Sequence, residues 1–291
     1  MATIELENVT FTYNKGLPSA VTALDDISLR IDGSDKGHAV TGLIGHTGSG
    51  KSTLVQLLNG LLKPERGVVR IDGIDIWAEP KKIRDVRFKA GLVMQYPEYQ
   101  LFAETVREDI AFGPKNMGLS GAELDARVLE AARFSGLDAG LLDRSPFELS
   151  GGQKRRAALA GVIAMKPSVL ILDEPAAGLD PAGRREILSG VRRYAAESET
   201  TVIIVSHSME DMAMYCDRLV VMADGRILMH GTCAEVFSEY ERLLSVGLDV
   251  PQITRIAAAL ARHGVDIGAD VYTVDYAVGR LLELRGKKHE G

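Results

Sequence analysis

Residues 45 to 52 read Gly-His-Thr-Gly-Ser-Gly-Lys-Ser, a GxxxxGKS/T loop placed between an apolar run and a segment of helical periodicity. This loop restricts the fold more than any other stretch, because it works only where a strand ends and a helix begins. Gly45, Gly48 and Gly50 let backbone N–H groups turn inward around phosphate oxygens, and the helix opening near Lys51 aims the positive end of its dipole at the same charge. Lys51 adds a point charge, and the Ser52 hydroxyl is a hard oxygen ligand suited to Mg²⁺. His46, Thr47, Ser49 and Thr53 complete the cradle. The competing reading is a glycine-rich turn that binds nothing, and the flanking strand and helix weigh against it.

Around the loop the chain alternates strand and helix signals. IELENVTFTY and ALDDISLRI open it, the second with apolar residues alternating through Leu24, Ile27, Leu29 and Ile31. A polar turn over Gly33 to Gly37 leads to the buried strand before Gly45. Thr53–Leu62 is expected to be helical and to stop at Pro64 and Gly67. VVRIDGIDI reads as a hairpin split at Asp72 and Gly73, and AGLVMQ as the next strand. From about Pro97 to Met165 the texture is helical, with capping boxes expected at Thr105/Glu108 and Ser120/Glu123. Strand VLILDEP, helix GRREILSGVRRYAAE, strand TVIIVSH, a helix over Met209–Cys216 and strands RLVVMADGRILMHG then resume the core. The fold class is therefore α/β: a mostly parallel core sheet with ligand at its carboxyl ends, an antiparallel β annex and a helical subdomain over about 97–166.

A core of residues 1–240 is expected to be followed by a small helical appendage over 241–291. Pro251 starts a helix that places Ile253, Ile256, Ala257 and Leu260 on one face, with Gly264 as its stop. A second segment aligns Val274, Val278, Leu281 and Leu282 before Gly286, and GKKHEG reads as a solvated tail. Two such short helices cannot bury both stripes alone, so they must dock on the core or on a partner.

Further chemistry lies at strand ends. The apolar run Val169–Leu172 delivers Asp173 and Glu174, one carboxylate suited to a magnesium hydration shell and one to orienting and polarising an attacking water. Leu149-Ser-Gly-Gly-Gln153 has two compatible readings. Ser150 and Gln153 are spaced as a capping box, and a helix start built from Ser150, Gly151 and Gly152 exposes N–H groups that a γ-phosphate would seek. Gln95 follows a buried strand, His207 ends another, Tyr13 closes the first, and Gly178-Leu179-Asp180 follows Pro175.

These motifs, in this order, resemble the nucleotide-binding subunit of ATP-binding-cassette (ABC) transporters, over roughly residues 4–240. The resemblance implies a P-loop ATPase using ATP and Mg²⁺, with Tyr13 stacked on adenine. It makes Gln95 the Q-loop residue that reaches magnesium beside Ser52 and Asp173. Glu174 becomes the catalytic carboxylate, His207 the switch histidine that steadies it, and Asp180 part of the D-loop. It also implies that Ser150–Gln153 contacts the nucleotide of a partner subunit, so that two ATPases close head to tail around two ATP molecules. A lone subunit should then hydrolyse ATP poorly. The family's usual Thr after Asp-Glu-Pro is Ala176 here, which removes a hydroxyl near the D-loop but no catalytic group.

GHTGSGKSTLVQLLNGLLKP, the segment from Gln95 to Phe102, AGVIAMKP and the stretch from Ser206 to Asp211 are similar to ATPases of energy-coupling-factor (ECF) transporters. Such systems import vitamins or transition-metal ions using two related ATPases, a transmembrane coupling protein and a substrate-binding membrane subunit. His46 and the long insertion Lys15–Thr22 favour the second ATPase type. The resemblance implies a peripheral protein at the cytoplasmic face of the membrane. Its partners would be a second ECF ATPase, or itself as a homodimer, together with the two membrane subunits, and the appendage would hold the ATPase pair together. Glu98, Tyr99 and Phe102 are expected to line a groove for a partner helix, with Glu98 pairing an Arg of the coupling protein.

Composition sets mild limits and disfavours a nucleic-acid-bound protein. The 291 residues carry a net charge of −6, which disfavours phosphate-backbone tracking. Neither a span of roughly 20 apolar residues nor a signal peptide is visible, so the chain is expected to be soluble by itself. Cys216 and Cys233 form no CxxC pair and read as inert thiols. Two rival classes share the nucleotide motifs. An ABC ATPase of DNA maintenance would insert a long coiled coil before Asp173, and no sustained heptads are present. A nucleotide-gated module without hydrolysis would lack Glu174 or His207. The ATPase of another ABC transporter class is a third alternative.

Overall fold

The computed structural model describes residues 1–33 and 40–289, with side chains through Arg285. β1 (Thr3–Tyr13) and β2 (Val21–Asp32) pair antiparallel, and the left-handed Asp26 marks a slip in register that explains why Leu24 and Ile27 are three residues apart yet both face inward. The expected polar turn from Gly33 to Gly37 lies outside the described residues apart from Gly33. β3 (Val40–Gly45) is wholly buried and feeds α1 (Lys51–Leu58). That helix ends four residues before the expected Leu62, because Gly60, at φ 70°, turns the chain out of it.

β4 (Arg66–Ile71) and β5 (Ile74–Asp75) form the expected hairpin, with Asp72 and Gly73 both at positive φ as a tight primed turn requires. α2 (Ile83–Lys89) leads to β6 (Ala90–Val93). The helical subdomain follows as α3 (Val106–Asn116), α4 (Gly121–Ser135) and α5 (Gly151–Ile163). Thr105 and Ser150 form complete capping boxes with Glu108 and Gln153, each worth about 1 kcal/mol to its helix. The box expected at Ser120 does not form. Gly121 enters α4 at φ 57°, and the Ser120 side chain makes no capping bond.

β7 (Val169–Asp173), α6 (Pro181–Ser198), β8 (Thr201–Val205), α7 (Met209–Tyr215), β9 (Arg218–Ala223) and β10 (Arg226–Thr232) complete the core. The larger sheet runs β10-β9-β3-β8-β7-β6, parallel except for β10, and the annex runs β2-β1-β4-β5, antiparallel throughout. Strand pleating divides the interior in two. Val169, Ile171, Ile203 and Val205 face the annex and α1, whereas Leu170, Leu172, Val202 and Ile204 face the helical subdomain and α6. Buried on both faces, these strands read as unbroken apolar runs. Their carboxyl ends, Gly45, Asp173 and Val205, come out on one edge, where the site forms.

α8 (Cys233–Ser238) and α9 (Tyr240–Ser245) still pack on the main core, which takes in Leu243, Leu248 and Val250. α10 (Gln252–Arg262) and α11 (Val274–His289) share a small separate core of Ala257, Ile267, Val271 and Ala277, tied by the Thr254 hydroxyl donating to the Val271 carbonyl at 2.9 Å. α11 continues through Gly286 rather than stopping there. Its expected stripe of Val274, Val278, Leu281 and Leu282 faces outward, and Ile256 of α10 is exposed too. Among the described residues no helix is long and apolar enough to cross a membrane.

Candidate functional site

The loop between β3 and α1 is held open by its own backbone. The Ser49 N–H donates to the His46 carbonyl at 3.1 Å, and Gly50 sits at φ 99°. A Cβ on Gly50 would stand 2.5 Å from the Ala23 carbonyl, and one on Gly45 would stand 2.4 Å from Ser49 Oγ, so both positions need glycine for close approach. Lys51 folds over the loop, its ammonium donating to the carbonyls of Gly45 at 2.6 Å and His46 at 2.9 Å. Burial lowers the Lys51 pKa, while the carboxylates of Glu174 and Asp173 oppose that shift. The ammonium is thus partly dehydrated, and a phosphate oxygen on the loop would replace its lost hydration.

Thr53 bonds the Tyr13 hydroxyl at 3.1 Å, fixing a ring that stands edge-on to Phe11 and remains 39% exposed at the end of β1. His46 Nδ1 lies 2.9 Å from the Thr47 carbonyl, and its Nε2 lies 3.5 Å from the Asp224 carboxylate.

At the end of β7, Glu174 adopts the left-handed backbone conformation, at φ 51°, and its N–H donates to the Val205 carbonyl on the neighbouring strand at 2.9 Å. Such a conformation in a glutamate is held only by its surroundings. His207 Nδ1 donates to Glu174 Oε1 at 2.8 Å. Glu174, His207 and Gln95 line a cavity of about 240 Å³ together with Arg184 and Asp211. The last two were not anticipated. The Asp211 backbone N–H donates to the Ser208 hydroxyl that caps α7, at 3.3 Å, its carboxylate pairs with Arg184 at 3.4 Å, joining α6 to α7, and burial raises its pKa.

Asp173 lies beside Glu174 and Lys51. Burial, then repulsion from Glu174, raises its pKa, and Lys51 pulls it down. Ser52, Gln95 and Asp173 offer a hydroxyl, an amide oxygen and a carboxylate, a sparse all-oxygen set. That donor chemistry fits Mg²⁺, which keeps water and phosphate oxygens as most of its ligands. Among the described residues no cluster of three or more His, Cys, Asp or Glu offers a self-sufficient metal cage.

Ser150 starts α5, and Gly152 lines a groove with Gly178, Leu179 and Asp180, which none of residues 45–52 shares. Asp180 caps α6, accepting from the Gly183 N–H at 2.7 Å.

The expectation for Glu98 needs correction. Rather than offering its carboxylate to a partner, Glu98 holds Arg155 of its own chain in a buried fork, Nε to Oε2 at 3.1 Å and Nη2 to Oε1 at 2.8 Å. Tyr99 and Phe102 are exposed as expected, at 83% and 62%, with Phe102 edge-on to Phe112. Both cysteines are buried, and burial pushes the Cys233 thiol up to about 12, in keeping with inert thiols.

Comparison with known proteins gives the family and the fold. Residues 24–177 match the family model described as "ABC transporter". The chain is 53% identical over 287 residues to the energy-coupling factor transporter ATP-binding protein EcfA2 of Caldanaerobacter subterraneus subsp. tengcongensis, covering 98% of this chain and 99% of that one. Among solved structures it is similar to cbiO1 of Clostridium perfringens, described as part of the ABC transporter complex cbiONQ. The TM-score is 0.73 and the identity 39%, covering 86% of this chain and 96% of the other. The dimeric ATP-binding cassette MJ0796, in a post-hydrolysis state bound to ADP and Pi, superposes with a TM-score of 0.69 at 28% identity, covering 79% of this chain and 98% of that one.

Proposed function

The chain belongs to the ABC transporter family, in its energy-coupling-factor ATP-binding branch, and from that membership we propose that it hydrolyses ATP to drive uptake of a vitamin or transition-metal ion through a membrane complex. The observation that carries the hydrolytic reading is the Glu174 carboxylate, held by His207 at 2.8 Å on the strand edge that also presents Lys51.

In this reading the N–H groups of residues 45–52 and the Lys51 ammonium bind the β- and γ-phosphates, and Tyr13 stacks on the adenine. Ser52, Gln95 and Asp173 would hold Mg²⁺, which would supply positive charge to offset that of the phosphates. Glu174 orients a water in line with the γ-phosphate and accepts its proton, while His207 keeps the carboxylate aimed. The Ser150–Gln153 helix start closes the site of a second subunit, and that subunit's equivalent closes this one. Support for the division comes from Gly152 lining a groove with Asp180 rather than with the phosphate loop.

The second subunit is a related ATPase or another copy of this chain. Tyr99 and Phe102 present the apolar rim for a helix of the transmembrane coupling protein, with a substrate-binding membrane subunit beyond it, so the ATPase sits at the cytoplasmic membrane face. The outward stripe of α11 keeps the pair associated when the nucleotide clamp opens.

Glu174→Gln tests the hydrolytic core. In the assembled complex this variant should retain ATP binding and lose turnover by about a thousandfold, within the range for loss of a general base. Steady-state hydrolysis at the unaltered rate would overturn the assignment.

A further inference from the structure

Arg155 belongs to the basic run Lys154-Arg155-Arg156, one turn into α5, where a solvated face is the ordinary expectation. Its side chain is 6% exposed instead, and that of its partner Glu98 is 16% exposed. Three of its nitrogens are engaged: Nε and Nη2 by the two oxygens of Glu98, and Nη1 by the Ala177 carbonyl. One planar group therefore joins three segments far apart in sequence. These are the turn of residues 97–100 beside the exposed Tyr99, the helix that begins at Ser150, and the loop that leaves Glu174.

The last of these connections is short. The Ala177 N–H donates to the Glu174 carbonyl at 3.1 Å, so Ala177 is one hydrogen bond from the strained glutamate and one from Arg155. The turn is also fixed at its far end, because Asp109 of α3 accepts from the Phe102 and Ala103 N–H groups at 3.1 and 3.3 Å. A guanidinium is rigid and its fork is directional, so a shift of the Glu98 carboxylate is passed on to the Ala177 peptide rather than absorbed, as a flexible lysine would absorb it. Well-packed apolar residues can stabilise a buried site as well as an ion pair does, which leaves geometric precision as the reason for charge here.

We propose that Arg155 is a positioning residue for hydrolysis, which sets the Ala177 peptide, and through it Glu174, according to the position of the 97–102 segment. Docking of the membrane partner on Tyr99 and Phe102 thereby reaches the hydrolytic carboxylate through Glu98 and Arg155. This rests on the ATPase reading given above, and the controls separate the two.

The experiment compares the wild type with Arg155→Lys and Glu98→Gln in the assembled complex in lipid vesicles, using ATP titrations normalised to assembled complex. Both variants should lower kcat by about tenfold or more while KM for ATP stays within about twofold, the signature of lost transition-state positioning. In the full-length chain, amide hydrogen exchange over residues 176–179 should be faster in both variants, reporting a loosened loop. Unchanged kcat, a fall that merely tracks the unfolded fraction, or unchanged exchange over residues 176–179 would each overturn the proposal. Should Arg155→Lys fail to assemble, Glu98→Gln, which keeps the shape and one neutral acceptor, gives the same decision. Wild-type turnover abolished by Glu174→Gln keeps the ATPase reading standing whatever Arg155 does, whereas a wild-type complex that does not hydrolyse ATP removes that reading first.

Discussion

Nδ1 of His207 lies 2.8 Å from Oε1 of Glu174, bridging the ends of two adjacent parallel strands, β8 and β7. A carboxylate only accepts, so the imidazole proton of this bond sits on Nδ1. The glutamate is gripped a second time through its backbone N–H on Val205, so one bond fixes its backbone and the other its carboxylate, both to the same neighbouring segment. His207→Ala should therefore lower turnover about a hundredfold, the lower range for disturbing a general base, with ATP affinity within about threefold. Steady-state ATPase and equilibrium nucleotide binding in the assembled complex check this; equal losses in both would assign His207 to binding instead.

Asp173 should be a liability to the empty protein. Burial, then Glu174, raises its pKa, so the folded chain holds that proton to higher pH than the unfolded chain does. Its contribution to stability is present in acid and is lost as pH climbs from the usual 3.8 through the raised value. Asp173→Asn removes the charge and hence this loss. At neutral pH without nucleotide, its Tm should rise above that of the wild type. Its ATPase should fall, a stability gain traded against function. Melting curves at pH 4 and pH 7 read the sign: the gain should be present at pH 7 and shrink toward pH 4.

The parts legible in the sequence are those whose cause is local. Gly45 and Gly50 mark a loop because side chains there would collide with Ser49 and Ala23, and the apolar runs of β7 and β8 mark strands because both of their faces are covered. Arg155 was illegible, since its partners lie 57 residues earlier and 22 later and its neighbours Lys154 and Arg156 advertise an exposed face. Glu98 was misread for the same reason: an acid between aromatics announces a groove, and the arginine that neutralises it comes from another element. In α11 periodicity finds the stripe of Val274, Val278, Leu281 and Leu282 but not that the small residue Ala277, with Leu284, faces α10 and leaves the larger side chains outside.

That outward stripe makes a separable prediction. Leu282 is 60% exposed, so Leu282→Asp should change the stability of the isolated chain by no more than about 0.5 kcal/mol, the usual range for surface substitutions. If the stripe holds the two ATPases together, the same substitution should weaken the nucleotide-free pair about tenfold or more. Sedimentation of the assembly without ATP measures this, and an unaltered dissociation constant would send the stripe's partner elsewhere.

Ser150 permits the sharpest test of the composite site, because its two roles can be pulled apart. As the cap of α5 it accepts from the Gln153 N–H at 3.3 Å, and Asp performs that task as well as Ser. Toward the γ-phosphate of a partner's nucleotide, however, Asp brings negative charge against negative charge. Ser150→Asp should therefore keep the thermal stability of the chain and its own ATP binding, while the assembled pair loses closure and turnover by a hundredfold or more, on the order of 3 kcal/mol of transition-state stabilisation. Ser150→Ala should do the reverse in part, costing about 1 kcal/mol of stability through the lost cap but leaving the glycine N–H groups able to meet the phosphate. Its turnover should accordingly exceed that of Ser150→Asp. If both variants lost activity only in proportion to their loss of folded protein, Ser150 would be a helix cap and nothing more, and the second subunit would have no part in closing the site.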